Sequence, residues 1–492
     1  MTVASAEMAT PTETWQGLAW SKMQANVHRL QQRIYRASQR NDVRAVHNLQ
    51  RLLLRTYSAR NLAVRQVTQE NQGKKTAGID GVKEVLPSQR LAMVAALKPL
   101  PQTAQAVRRV YIPKANGEKR PLGIPIMFDR AAQALVKLAL EAEWEAKFEA
   151  DSYGFRPGRS AHDAIQMIHM ALSRQSKYVL DADIEACFDR IDHEALLAKL
   201  KSIPTVEGLV RKWLKAGIFA KGKISSSEAG TPQGGVISPL LANIALHGLE
   251  TMVKQIVPKK KAAIVVRYAD DFVILHADRK HLLKVKAAVE SWLAKLGLNL
   301  KAAKTRIAHT LNPYEGEAAG FDFLGFTVRQ FAVGKTHSKR GCKTIIKPSK
   351  KSVDKHMTKV DEWIKSQNEG AQHILLLMLI HASKAGHVTS AANLPSSPST
   401  RWTRNSTTNC AVGPIVAIAA RAKVGVIIAT GKCALAKFAS VTVYSLWSTT
   451  ATHPFVATSK CGVQNHPWTA TGSTGQLASV ATRCYQNGSR PC

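Results

Sequence analysis

Val265-Val266-Arg267-Tyr268-Ala269-Asp270-Asp271-Phe272-Val273-Ile274-Leu275 reads as two buried strands joined by a tight turn. Short β-branched and apolar runs stand on either side of the tetrapeptide Tyr268-Ala269-Asp270-Asp271. Adjacent carboxylates at such a turn repel one another and resist the loss of water. A divalent cation removes that objection, because paired carboxylate oxygens suit Mg²⁺ when substrate phosphates complete its shell. Taken alone, the window also allows two solvated turn aspartates.

A second acidic segment strengthens the metal reading. Lys177-Tyr178-Val179-Leu180-Asp181-Ala182-Asp183-Ile184 has the pattern of another strand, followed by Glu185-Ala186-Cys187-Phe188-Asp189-Arg190-Ile191-Asp192-His193. Strand alternation puts Val179, Asp181 and Asp183 on one face and Tyr178, Leu180 and Ile184 mostly on the other. If the two strand units are neighbours, Asp183 meets Asp270 across the sheet. Two such carboxylates can hold two metals about 3.5–4 Å apart, the arrangement for in-line phosphoryl displacement. An acidic strand end before a helix is the bland alternative. Together the two segments favour a nucleotidyl transferase.

From about Trp15 to about Val353 the chain resembles the reverse transcriptases encoded in bacterial group II introns, which double as intron maturases. Six stretches carry the resemblance in order. Besides the Tyr268–Asp271 turn they are Asn71–Gly81, Val110–Pro125, Ser152-Tyr153-Gly154-Phe155-Arg156-Pro157-Gly158-Arg159-Ser160, Gly230–Leu240 and Phe321-Asp322-Phe323-Leu324-Gly325-Phe326. The resemblance implies an α+β, right-hand polymerase fold, its antiparallel palm sheet flanked by helices and its fingers beside it. It implies an RNA-directed DNA polymerase in which Asp183 and Asp270 hold two Mg²⁺ ions, with Asp271 a secondary ligand or a structural partner. Deoxynucleoside triphosphates, an intron RNA template and a DNA primer would be its partners.

The same motifs have physical readings of their own. Asn116-Gly117 between two basic arms is a hairpin-turn signal that draws Lys114 and Arg120 together, able to grip a triphosphate. A solvated basic hairpin is the alternative; the resemblance implies contact with the incoming nucleotide. The resemblance also gives the loop of Arg156 and Arg159 a role in nucleic-acid contact, while a structural role stays open for Arg156, set between Phe155 and Pro157. Phe188 resembles the family's sugar gate, which excludes a 2′-hydroxyl; on chemistry alone it is an ordinary core Phe. Gln233 sits in a Gly-rich turn where backbone can approach a ligand, just before the helix expected near Ser238. Tyr268 is expected among the substrate contacts. Lys304 resembles the lysine that the family places near the triphosphate, where it can protonate the leaving pyrophosphate; a surface lysine is its rival.

Composition points to a polyanionic partner. The net charge is +35, from 69 Lys and Arg against 34 Asp and Glu, the footprint of a nucleic-acid binder. Residues 16–69 read as helices carrying Arg29, Arg33, Arg36, Arg40, Arg44, Arg51, Arg55, Arg60 and Arg65. Leu30, Ile34, Val43, Val46, Leu49, Leu53 and Leu54 recur between them at near-helical spacing, so one face packs and the other meets phosphates. The first fifteen residues lack a signal-peptide pattern, and no apolar run reaches membrane-spanning length. Seven cysteines without a Cys-x-x-Cys pair argue against a zinc site or a disulfide framework. A cytoplasmic enzyme without a membrane partner is the expectation. Four regions follow: a basic helical extension over 1–75, fingers and palm over 76–330, the start of a thumb or maturase region over 331–372, and an off-pattern tail over 373–492.

That tail contains no Asp or Glu from residue 370 onward, and five of the seven cysteines fall in it. We read it as translated in a shifted frame. Joining each codon's third base to the next two bases forces an Asp at Trp402-Thr403. It permits Lys-Gly-Trp-Ser-Arg-Tyr-Phe from Ser383 to Ser390, and Ser-Pro-Leu-Asp-Gly-Asp-Trp-Val-Tyr-Trp from Asn465 to Gly475. These words, and an Arg-rich one from Asn409 to Ala419, look like the family's maturase motifs in their order. A divergent basic tail is the alternative, and coding DNA lacking those words would decide for it. Two further readings stay open: a non-catalytic RNA-binding splicing cofactor, and an inactive remnant of a mobile element.

Overall fold

A computed structural model describes residues 14–366, apart from 114–116, 227, 258–261, 335, 337, 339 and 340. Lys114 and the acid-free tail lie outside the described residues, and the shifted-frame expectation lies there with them.

The chain opens on helices α1 (Trp20–Gln39), α2 (Val43–Arg55) and α3 (Tyr57–Arg65). Asp42 caps α2 by accepting from the Ala45 amide, and Thr56 caps α3 in the same way from Ala59. Helix α4 (Pro87–Ala96) starts on a proline, where a missing N–H is no loss. Strands β1 (Val107–Pro113) and β2 (Lys119–Ile124) precede α5 (Met127–Lys147) and α6 (Ala161–Leu172). Next come β3 (Tyr178–Asp183), α7 (Cys187–Arg190), α8 (His193–Leu200), α9 (Pro204–Leu214), β4 (Ile218–Ala220), β5 (Lys223–Ser225), α10 (Ser238–Leu246) and α11 (Leu249–Ile256). The hairpin β6 (Ile264–Tyr268) and β7 (Asp271–His276) leads to α12 (Arg279–Ala294) and β8 (Arg306–His309). Strands β9 (Phe321–Phe323), β10 (Phe326–Ala332) and β11 (Cys342–Pro348) come before α13 (Lys350–Ser366).

The described residues form two compact units. The first runs to Phe321 and resumes over Arg329–Ile345. Its core is built around α5, whose Ala131, Ala132, Ala134, Leu135, Val136, Ala139 and Leu140 are all buried. So many small residues let α1, α2 and α3 pack closely against it. Burying Leu135 or Leu140 alone is worth roughly 1.5–3 kcal/mol. Polar ties fix the fit: Gln31 donates to the Leu138 carbonyl, Ser38 to that of Glu143, and Gln50 to the Glu143 carboxylate at 2.6 Å. The basic helices are therefore part of this core. Ile34, Val46, Leu53 and Leu54 face inward as their spacing predicts. Val43 does not; as the first residue of α2 it projects at the helix end and is exposed.

Two sheets complete the first unit. One has the order β2-β1-β4-β5, with β1 and β2 in the expected antiparallel hairpin and β4 parallel to β1. The other, β6-β7-β3-β8, is antiparallel throughout, with α6, α11 and α12 packed on it. The fold is thus mixed α and β, with one of these sheets antiparallel throughout and the other antiparallel except where β4 meets β1. Among the described residues, no helix is long and apolar enough to cross a membrane.

The second unit holds Asp322–Val328 and, among described residues, 346–366. Leu324 and Gly325, at φ +50° and +84°, form the two-residue turn between β9 and β10, the mirror-image type that strand twist favours. The Gly325 carbonyl accepts from the Ser349 amide and the Ser352 hydroxyl, both at 2.9 Å, and so ties the turn to the start of α13.

Candidate active site

The β6–β7 hairpin carries Ala269 and Asp270 at its tip, with Tyr268 paired to Asp271 across it. Ala269 has φ +59°, a left-handed conformation that strains any residue with a β-carbon. Arg267 holds it there. Its guanidinium, in a fully buried setting, donates to the Asn243 side chain at 2.9 Å and to the Ala269 carbonyl at 3.0 Å. Burial lowers its pKa to about 10, which leaves it charged. Asn243 in turn donates to the Gly154 carbonyl at 2.7 Å. The Ser152-Tyr153-Gly154 segment lies along β6: the Arg267 amide donates to the Asp151 carbonyl, and the Tyr153 amide donates to the Arg267 carbonyl.

Strand β3 lies beside β7 in the register Asp183 to Asp271. The sequence pattern sets Asp270 across the sheet from Asp183; the register instead puts Asp271 there and leaves Asp270 at the turn. All three carboxylates still interact. Asp270 is raised above the usual carboxylate range by desolvation and by Asp183, against which Arg120 and Lys304 pull downward. Asp271 is pushed up to about 6 by desolvation, then by Asp270 and Asp183. Lys304 Nζ donates to Asp183 Oδ2 at 2.5 Å, and that contact raises the lysine. The Lys301 amide donates to the Asp183 carbonyl, which fixes the short helical turn (Ala302–Lys304) bearing Lys304. Asp181, two residues back along β3, is held by Arg306 at 3.3 Å.

Phe188 sits on α7, reached through Ala186 at φ +46°. Its ring meets that of Phe155 edge-on, centroids 6.3 Å apart. Asp189 accepts from Gln233 at 3.2 Å. The Gly230–Gly235 loop is pinned to this segment, since the Thr231 amide donates to the Phe188 carbonyl and that of Gly230 to the Ile191 carbonyl. A β-carbon on Gly234 would stand 2.5 Å from the Gly123 carbonyl oxygen, so this loop also lies hard against β2. Phe188, Asp189, Gly123, Thr231 and Pro232 line a cleft of about 440 Å³. Arg120 is exposed on β2, opposite Ile112.

At Arg156 the geometry favours the structural alternative that its setting between Phe155 and Pro157 left open. It is buried, donates to both Glu145 oxygens, and also serves the Glu149 and Ser152 carbonyls at 2.7 and 2.6 Å. Its guanidinium is thus engaged inside the fold, holding Glu145 and the backbone on either side of it. Arg159 is half-buried over the Tyr153 ring and donates to the Ala150 carbonyl.

The donor set suits a divalent cation. Carboxylates brought together out of water resist joint ionisation, and a cation relieves that conflict; at Asp183 the Lys304 ammonium supplies part of the relief. Among the described residues, no three His, Cys, Asp or Glu side chains are grouped so that they could hold a metal ion by themselves.

Residues 112–328 match the sequence profile of "Reverse transcriptase (RNA-dependent DNA polymerase)", and residues 15–97 that of "N-terminal domain of reverse transcriptase". Protein YkfC of Escherichia coli is 33% identical over 309 residues, covering 53% of this chain and 77% of that one. The group II intron-encoded protein LtrA of Lactococcus lactis is 37% identical over 219 residues, 43% of this chain and 36% of LtrA. Maturase-like protein 1 of Euglena gracilis is 26% identical, covering 48% of this chain and 52% of its own. Enzymes of this family use divalent metal ions. With both profiles in order along one chain and the acidic hairpin at the heart of the longer match, the chain belongs to the reverse transcriptases, RNA-directed DNA polymerases, of the group II intron-encoded maturase type.

Proposed function

We propose that residues 76–330 are the fingers and palm of a right-hand polymerase that copies intron RNA into DNA, and that the observation carrying this is the convergence of Asp183, Asp270 and Asp271 at one sheet end. Asp183 and Asp270 would be the principal metal ligands, with Asp271 an adjoining one. Two Mg²⁺ ions there would activate the primer 3′-hydroxyl and neutralise the triphosphate. Lys304, beside Asp183 at the same sheet end, would meet the triphosphate and donate a proton to the departing pyrophosphate. Arg120 would pair with phosphate oxygens, a reading supported by its exposure on β2 and by its charge acting on Asp270. Phe188 would lie beneath the sugar, Gln233 by the template base pair, and Tyr268 by the primer end.

The N-terminal helices fit the second part of the role, gripping intron RNA for splicing. Arg29, Arg33, Arg36, Arg40, Arg44, Arg51 and Arg55 are exposed, while Arg60 is buried and donates to the Val94 carbonyl. Such an enzyme would work in the cytoplasm beside nucleic acid. Primer extension with Asp270→Asn tests the polymerase: lost DNA synthesis with intact intron splicing separates the two activities, and unchanged synthesis rejects the metal-site assignment.

A further inference from the structure

Phe155 combines two unfavourable features that packing does not explain. Its backbone is left-handed at φ +58°, which bulky residues avoid, and half of its surface, 51%, is exposed. Neighbours on both sides fix it in that position. Gly154 is wedged against the Ala269 amide, where a β-carbon would stand only 2.3 Å away, and Arg156 is bound into Glu145. The segment is thus locked to the catalytic hairpin, and it delivers one ring to one place: the edge of Phe188, at 6.3 Å and 78° between planes. This geometry is within the range in which aromatic pairs attract.

We propose that Phe155 is a positioning residue for sugar selection, a brace that keeps the Phe188 ring upright beneath the nucleotide. The inference rests on the assignment of Phe188 as the sugar gate. Phe188 lies on a helix of four residues, Cys187–Arg190, which is too short to immobilise a side chain alone. Without the brace the ring gains freedom to tilt, and the space that excludes a 2′-hydroxyl opens. The effect falls on discrimination between sugars and leaves incorporation of the correct nucleotide nearly intact. It links the Ser152–Ser160 segment to substrate choice through the Ala269 turn that the same segment grips.

The test uses the full chain, a primed RNA template and matched deoxy- and ribonucleoside triphosphates, with kcat and KM measured for each. Phe155→Asn is the informative variant, because Asn accepts a left-handed backbone while removing the ring. Phe155→Tyr keeps the ring and serves as the rescue, and Phe188→Ala reports on the gate itself. The expected result is a two- to tenfold loss of deoxy-over-ribo preference in Phe155→Asn, roughly what an aromatic pair supplies. That loss should come from a lowered ribonucleotide KM, with Phe155→Tyr near the unaltered chain. If Phe188→Ala loses discrimination and Phe155→Asn does not, the brace is rejected and the gate stands. If Phe188→Ala keeps discrimination, or the unaltered chain incorporates nothing, the gate assignment fails and the brace with it.

Discussion

Gly154 lies so close to Ala269 that a β-carbon on it would stand 2.3 Å from the Ala269 amide nitrogen. Backbone cannot yield as a flexible side chain can, so any larger residue must push the turn carrying Asp270 out of place. Gly154→Ala should therefore lower stability by about 2 kcal/mol or more and cut DNA synthesis at least tenfold. Urea unfolding and primer extension, run together, check both parts; an active Gly154→Ala protein would show that the turn tolerates displacement.

Arg267 acts on the same turn from inside. Both bonds leave one nitrogen, Nη1, which the rigid planar guanidinium holds between Asn243 and Ala269; a lysine ammonium on its flexible stem does not reproduce that position. Arg267→Lys should cost about 1–3 kcal/mol through the buried partners it leaves unpaired. Asn243→Ala should weaken the turn in the same direction, and a double-mutant cycle should show the two effects to be non-additive.

Arg156→Ala should destabilise the fold by about 3–5 kcal/mol, because Glu145 is left buried without its partner. Removing both charges, as in Arg156→Met with Glu145→Leu, should recover much of that loss. At temperatures where the variants stay folded, their KM for primed template should match the unaltered chain.

The raised carboxyls give a pH signature in metal-free protein. A carboxyl whose folded pKa lies above its unfolded value holds its proton longer in the folded state, so stability declines as pH rises from about 4 toward the Asp271 value of about 6. Asp271→Asn should accordingly raise the melting temperature at pH 7.5 and leave it unchanged below pH 4, while lowering DNA synthesis. Thermal melts across that range, with a chelator present, read the sign directly.

Exchanging Arg29, Arg33, Arg36 and Arg40 for Gln should weaken binding of RNA of any sequence. The dependence of log affinity on log salt should flatten by about 0.7–0.9 for each phosphate that is no longer neutralised. Filter binding at several salt concentrations measures it; an unchanged slope would place the RNA elsewhere.

Much of the acidic site is legible in the sequence because its signals are local. The β-branched runs around Tyr268–Asp271 specify two strands, and the turn residues specify where they reverse. The cross-strand partner of Asp183 differs by one residue from the sequence expectation, since register depends on where two distant strands begin, and a single step exchanges neighbours. Arg156 needs Glu145, eleven positions earlier and on another element, before its structural role can be seen. Arg267 belongs to the same Val265–Leu275 stretch as the acidic turn. An ionisable residue within a buried strand always requires partners, but nothing local names Asn243 as one of them. Gly154 and Phe155 are visible in the sequence only as members of a motif, because close backbone approach and left-handed geometry are properties of the folded chain.

Strand β6 lies at the outer edge of its sheet, and such an edge ordinarily offers a free row of donors and acceptors to any passing chain. Here the Asp151 carbonyl and the Tyr153 amide have taken up the Arg267 positions of that row. The strand leading to Asp270 is thereby shielded from pairing with a second molecule. The segment that grips the Ala269 turn thus also closes this part of the sheet edge.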